Sequence, residues 1–221
     1  MINPRLLAQE IESTYQTKGF WNVLVESKED DGRIFFIIHE GPRASIKEVV
    51  LTGVTQFDAK LLVDKYMKPI INTKYFDSYI MQKATDSLLN FYCDEGYFDA
   101  TIIRQERIIT HDNDTYRLVL TIDEGSRKFV DEIQFEPPSP MLINCPYTQD
   151  IGAGNKTPCT RALIERQRTW IDQKLATHQT GIRAKAELVE RGNCVTIVWH
   201  IDDSAVNIST GKTVLVGTRT A

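Results

Sequence analysis

The sequence predicts an α+β fold in tandem: small β-α-α-β-β units, each with two helices packed on a three-stranded mixed sheet. Three observations predict it. A run of helix ending in glycine, strand, polar turn and alternating strand recurs three times at a spacing of roughly 80 residues, too long for a solenoid repeat and right for a small domain. After the helix-ending glycines the apolar period changes from near 3.6 to 2. The 221 residues, 42% hydrophobic and 25% charged, match an ordinary folded chain with room for two or three such cores.

The first copy runs from Pro4 through Gly19 to Glu40-Gly41, the second helix and hairpin of a unit. Trp21, Val23 and Val25 alternate, Glu29-Asp30-Asp31-Gly32 turns, and Ile34, Phe36 and Ile38 return. The second copy is complete. Ile46, Val49, Val50 and Leu51 form a β-branched run that stops at Thr52-Gly53. Phe57-Asp58 opens a first helix with Leu61, Leu62 and Tyr66 on one face, and Pro69 discourages its continuation. Asp77 or Ser78 caps a second helix whose apolar positions run from Ile80 to Tyr92, and Gly96 stops it. Phe98, Ala100, Ile102 and Ile108 mark one strand, and Tyr116, Leu118, Leu120 and Ile122 mark the next, across the turn His111-Asp112-Asn113-Asp114.

The third copy opens with Phe129, Ile133 and Phe135, and a Pro/Gly-containing loop then replaces much of its first helix. Leu163, Ile164, Trp170, Ile171 and Leu175 carry the second helix, ending before Gly181, and Ile182–Leu188 and Val195–Ile201 form the hairpin. Gly211 to Gly217 reads as the opening strand of a further copy. The expected divisions are 1–43 for the C-terminal part of one unit, 44–125 for a complete unit, 126–204 for a divergent unit with an inserted loop, and 205–221 for an opening strand or tail.

Several function classes lack their signatures. A formal charge of −4 offers no general attraction to nucleic acid. A P-loop, a nucleophile elbow, a dinucleotide turn and a paired-carboxylate site are missing, and Gly152-Ala153-Gly154 follows no strand. His39, His111, His178 and His200 are dispersed, with only His200 and Asp202 at a weak ligand spacing. The expectation is a non-enzyme without metal or cofactor. Cys145 and Cys159 flank the polar loop, where a disulfide would close it in an oxidising compartment; two unlinked thiols is the other reading. Cys93 reads as core filler and Cys194 as the start of a strand.

The phrases Ile46-Lys47-Glu48-Val49-Val50-Leu51-Thr52-Gly53 and Leu88-Leu89-Asn90-Phe91-Tyr92-Cys93-Asp94-Glu95-Gly96-Tyr97-Phe98-Asp99-Ala100 resemble the POTRA domains of BamA/TamA-like outer-membrane assembly and translocation proteins. Glu40-Gly41-Pro42-Arg43 and Glu124-Gly125 look like that family's acidic-Gly junction between copies, and Val54 departs from the usual Asn. The resemblance is strongest from about Gly19 to Phe135. It implies tandem POTRA domains forming a periplasmic arm that precedes a membrane β-barrel outside this sequence. Such an arm receives unfolded outer-membrane proteins or periplasmic accessory proteins, and the number of copies favours a BamA-like parent. The alternatives are the POTRA arm of a polypeptide-secretion transporter and a spacer that binds no client.

Under that resemblance the expected mechanism is β-augmentation, in which an unpaired edge strand accepts an extended segment. The candidate edges are the first hairpin strands: Trp21, Val23 and Val25; Ala100, Ile102, Arg104 and Glu106; and Ile182, Ala184 and Ala186. Charges such as Arg104, Glu106, Arg107, Arg183 and Lys185 would instead blunt those edges. Phe20-Trp21 and Tyr97-Phe98 are expected to pack inward as core.

Overall fold

The computed structural model describes residues 3–110, 114–139, 142, 144–148, 156–176 and 183–202. The backbone contacts divide into two units: residues 1–89 with 101–123, and residues 90–100 with 124–221. The turn at residues 111–113, the loop at 149–155, Gly181 with Ile182, and the Gly211–Gly217 run lie outside the described residues.

In unit 1, helix α1 (Pro4–Thr17) starts where Asn3 accepts the Arg5 amide and Pro4 supplies a helical φ. Strands β1 (Leu24–Asp30) and β2 (Arg33–His39) pair antiparallel across Asp31-Gly32, both at positive φ, as a tight hairpin requires. Strand β3 (Ser45–Thr52) joins β4 (Thr101–Ile109) and β5 (Thr115–Asp123) in a sheet of order β3-β5-β4, with β3 parallel and β4 antiparallel to the central β5. Tyr116, Leu118, Leu120 and Ile122 are all buried, as the alternation predicts.

The helix layer corrects one expectation. Asp58 caps α2 (Ala59–Leu62), but Pro69 does not end the segment: a π-helical turn (Val63–Met67) follows, and α3 (Lys68–Asn72) takes Pro69 in its first turn. A helix start needs no amide hydrogen there, so proline costs nothing. The wider turn also changes the buried face. Leu62, Met67 and Ile70 are inside, while Leu61, expected to share a face with Leu62 and Tyr66, is 65% exposed. Helix α4 (Ser78–Asp94) begins where Asp77 accepts the Tyr79 amide and buries Met81, Ala84, Leu88 and Tyr92. A fully buried side chain of the size of Leu88 contributes about 1.5–3 kcal/mol.

Unit 2 repeats the plan. Strand β6 (Phe129–Glu136) lies parallel to β9 (Cys194–Asp202), which pairs antiparallel with β8 (Arg183–Arg191); the two-residue β7 (Thr157–Pro158) extends the order to β7-β6-β9-β8. The register slips at the same place in both sheets, Ile46/Glu48 in β3 and Val130/Glu132 in β6. Helix α5 (Arg161–Ala176) covers a core of Val130, Leu163, Ile171, Val195, Ile197 and Trp199. Gln167, polar yet fully buried, accepts the Trp199 indole N–H at 3.1 Å. Neither Cys145 nor Cys159 is in a disulfide; both thiols are buried, Cys159 within this core.

Each unit contains one copy of the same local arrangement. Helix α1 ends with Phe20 N–H on the Tyr15 carbonyl (3.1 Å), and α4 with Tyr97 N–H on the Tyr92 carbonyl (2.9 Å), each closed by a glycine at positive φ. The Gly19 carbonyl accepts the Ala44 amide and the Ala44 carbonyl the Phe76 amide; Gly96, Lys128 and Cys159 repeat that ladder. Arg43 reaches the Lys18 carbonyl and stacks over Phe20, as Arg127 reaches the Glu95 carbonyl and stacks over Tyr97. The acidic-Gly junctions take part as well: the Glu124 carboxylate accepts the Tyr92 hydroxyl at 3.0 Å, and a hydrogen bond to Glu40 raises the Tyr15 pKa.

Candidate peptide-binding groove

Strand β4 ends its sheet, so one side of its backbone has no strand partner among the described residues. A groove of about 410 Å³ runs along it, between Ser78, Met81, Gln82 and Thr85 of α4 and Ile102, Ile103, Arg104 and Gln105 of β4. The α4 residues share one helix face by their three-and-four spacing. A β-bulge at Ile102/Arg104 leaves Ile103 without a partner on β5, and its side chain is 62% exposed at the groove. Met81 forms a buried apolar floor and Thr85 turns its hydroxyl back to the Met81 and Gln82 carbonyls. The site therefore offers strand backbone, an apolar patch and a polar rim, with no cluster of metal-ligating side chains among the described residues. Arg104 and Glu106 pair with each other on the same strand, so the charge on this edge is locally balanced.

The nine described candidates divide into four groups. Ile102, Arg104 and Glu106 lie on β4, and Ile102 and Arg104 line the groove. Trp21, Val23 and Ala100 do not belong to a strand: β1 starts at Leu24 and β4 at Thr101, because the chain after each helix-ending glycine makes a further turn first. Trp21 is instead wedged between Phe76 and Tyr116, at ring distances of 4.8 and 4.6 Å, beneath the Arg107 guanidinium. Phe98, likewise expected to pack inward, lies against the unit 2 core. Val25 is on β1, but its amide donates to Glu12 at 2.9 Å, which occupies part of that edge.

Ala184 and Ala186 lie on the terminal strand β8 and turn toward the core, whereas Ile182 is outside the described residues. The His200 ring contacts Glu187 at 2.8 Å and Glu136 at 3.4 Å. Sequence reasoning missed the α4 wall of the groove: Ser78 entered it only as a candidate cap, and Gln82 and Thr85 did not enter it. Their only signal was the shared spacing.

Residues 44–125 match the POTRA family, described as surface antigen variable number repeat. This segment is a POTRA domain, and the chain is a tandem of POTRA-like α+β units. Many solved structures are similar to the chain, and three serve as examples. POTRA3-5 of Haemophilus influenzae BamA is 14% identical, with 90% of this chain and 80% of that one covered and a TM-score of 0.47. POTRA1-3 of Omp85 from Anabaena is 16% identical over 89% and 80%, with a TM-score of 0.42. CdiB from Escherichia coli is 13% identical over 90% of this chain and 36% of that one, with a TM-score of 0.36. No curated protein matches the sequence significantly. The POTRA assignment rests on the family match and on the shared strand order and bulge of the two sheets.

Proposed function

We propose that this chain is the periplasmic POTRA arm of an outer-membrane protein assembly factor, and that it binds extended segments of nascent barrel proteins or accessory subunits by β-augmentation on β4. The role is binding rather than catalysis, without cofactor, and the divisions at 43/44, 125/126 and 204/205 separate its POTRA copies. The observation that carries the reading is the groove of about 410 Å³ beside the terminal strand β4. An incoming strand there would satisfy main-chain donors and acceptors, and Met81, Ile102 and Ile103 would hold alternate side chains. Main-chain pairing reads little sequence, which suits a receptor for many clients.

The test is amide chemical-shift mapping of the chain titrated with extended peptides taken from outer-membrane barrel strands. Shifts concentrated on β4 and the first half of α4 support the proposal. No response at about 1 mM peptide, a concentration that detects even weak complexes, overturns it in favour of a spacer.

A further inference from the structure

A second groove, also of about 410 Å³, lies on the other side of α4. Tyr79, Lys83 and Ser87 form a stripe at intervals of four residues along one wall, and Lys65, Tyr66 and Pro69 form the other. The π-helical turn creates this second wall: its extra residue rotates the downstream helix by about 100° relative to a regular one. The Lys65 ammonium stands 5.1 Å from the centre of the Tyr66 ring and that of Lys83 5.5 Å from the Tyr79 ring. Tyr79 is 65% exposed, a large aromatic surface to leave in water. The lining carries two ammonium groups and no carboxylate, although the whole chain is net negative. Its positive rim is therefore a local feature and does not follow from general charge.

We propose that this groove docks an acidic peptide segment of a partner protein. An aliphatic or aromatic side chain of the segment would seat between Tyr66, Pro69 and Tyr79, with flanking carboxylates on Lys65 and Lys83. Concavity favours a segment over a flat anionic surface, and lysines held against aromatic rings present charge beside an apolar floor. The site is separate from the β4 groove and does not depend on it.

The experiment titrates the full chain with a synthetic peptide of alternating glutamate and leucine, its glutamine counterpart, and phosphatidylglycerol vesicles, again reading amide shifts. Saturable shifts at Tyr66, Tyr79 and Lys83 are expected with the acidic peptide alone. Affinity should fall about tenfold between 50 and 300 mM salt, and about tenfold or more in the K65E/K83E variant. The exposed substitutions Tyr79→Ser and Lys83→Gln should each weaken binding in the same direction, which keeps the test decisive if the charge reversal perturbs folding. Equal binding by the glutamine peptide, shifts on β4 alone, a response to vesicles alone, or no response at about 1 mM each overturns the proposal.

Discussion

The hydroxyl of Tyr92 donates to the carboxylate of Glu124 across 3.0 Å, with both side chains buried. That bond ties the last turn of α4 to the Glu-Gly junction that follows β5. A buried carboxylate deprived of a donor pays part of its desolvation, so Tyr92→Phe should cost about 1–3 kcal/mol although it removes one oxygen. Urea denaturation followed through tryptophan fluorescence measures it; a loss below about 0.3 kcal/mol would show that the bond contributes little.

Alkaline pH should loosen unit 2. Burial pushes the Cys159 thiol up to about 12, with Glu190 and Cys93 adding to it. Burial, then the Glu124 bond, raises Tyr92, and the Asp99 bond foremost raises Lys128. All three groups hold their protons longer folded than unfolded. Their contribution is therefore full below the ordinary values of 9.0, 10.0 and 10.5 and is lost as pH climbs through the folded ones. The urea midpoint should fall steadily above about pH 9, and Cys159→Val should remove the earliest part of the fall. A midpoint unchanged at about pH 10.5 would contradict this.

Three glycines separate conformational strain from close approach. Gly96 has φ +93°, and a Cβ there would stand 3.0 Å from the Cys159 carbonyl oxygen; Gly19 has φ +94° and 2.9 Å to that of Phe76. Gly32 has φ +71° with open space around it. Gly32→Ala should cost only the left-handed penalty of about 1–2 kcal/mol, whereas Gly19→Ala and Gly96→Ala should cost more because a carbonyl in the ladder must also move. Equal losses at all three would mean that the ladder gives way freely.

Ile103→Glu places a charge at the bulge of the β4 groove. The side chain is 62% exposed, so stability should change by no more than about 0.5 kcal/mol while barrel-strand peptides lose their binding. Unaltered peptide shifts in this variant would move the binding site elsewhere.

Much of the architecture is readable along the chain because it depends on local chemistry. The alternation from Tyr116 to Ile122 names a buried central strand, the Tyr-x-x-x-Gly phrase names a helix stop, and the Glu-Gly pairs name the junctions. The failures are local as well. Trp21 and Ala100 read as strand because apolar residues at intervals of two look alike in a strand and in the turn before it. Pro69 reads as a stop because a single sequence does not show that a π turn will restart the helix there.

The sequence by itself determined the repeat, the order of elements and the mixed α+β class, since these follow from periodicity, caps and turn residues. Only the tertiary structure decided which residues each element meets. Gln167 is buried because Trp199 arrives from β9 with an indole N–H, and Cys159 is core because it occupies the place that Phe76 holds in the preceding copy. Likewise α4 has two grooves because β4 passes one of its sides and the π turn the other. Such pairings join residues about thirty positions apart, as Gln167 and Trp199 are, and no local pattern encodes which distant surface a side chain will face.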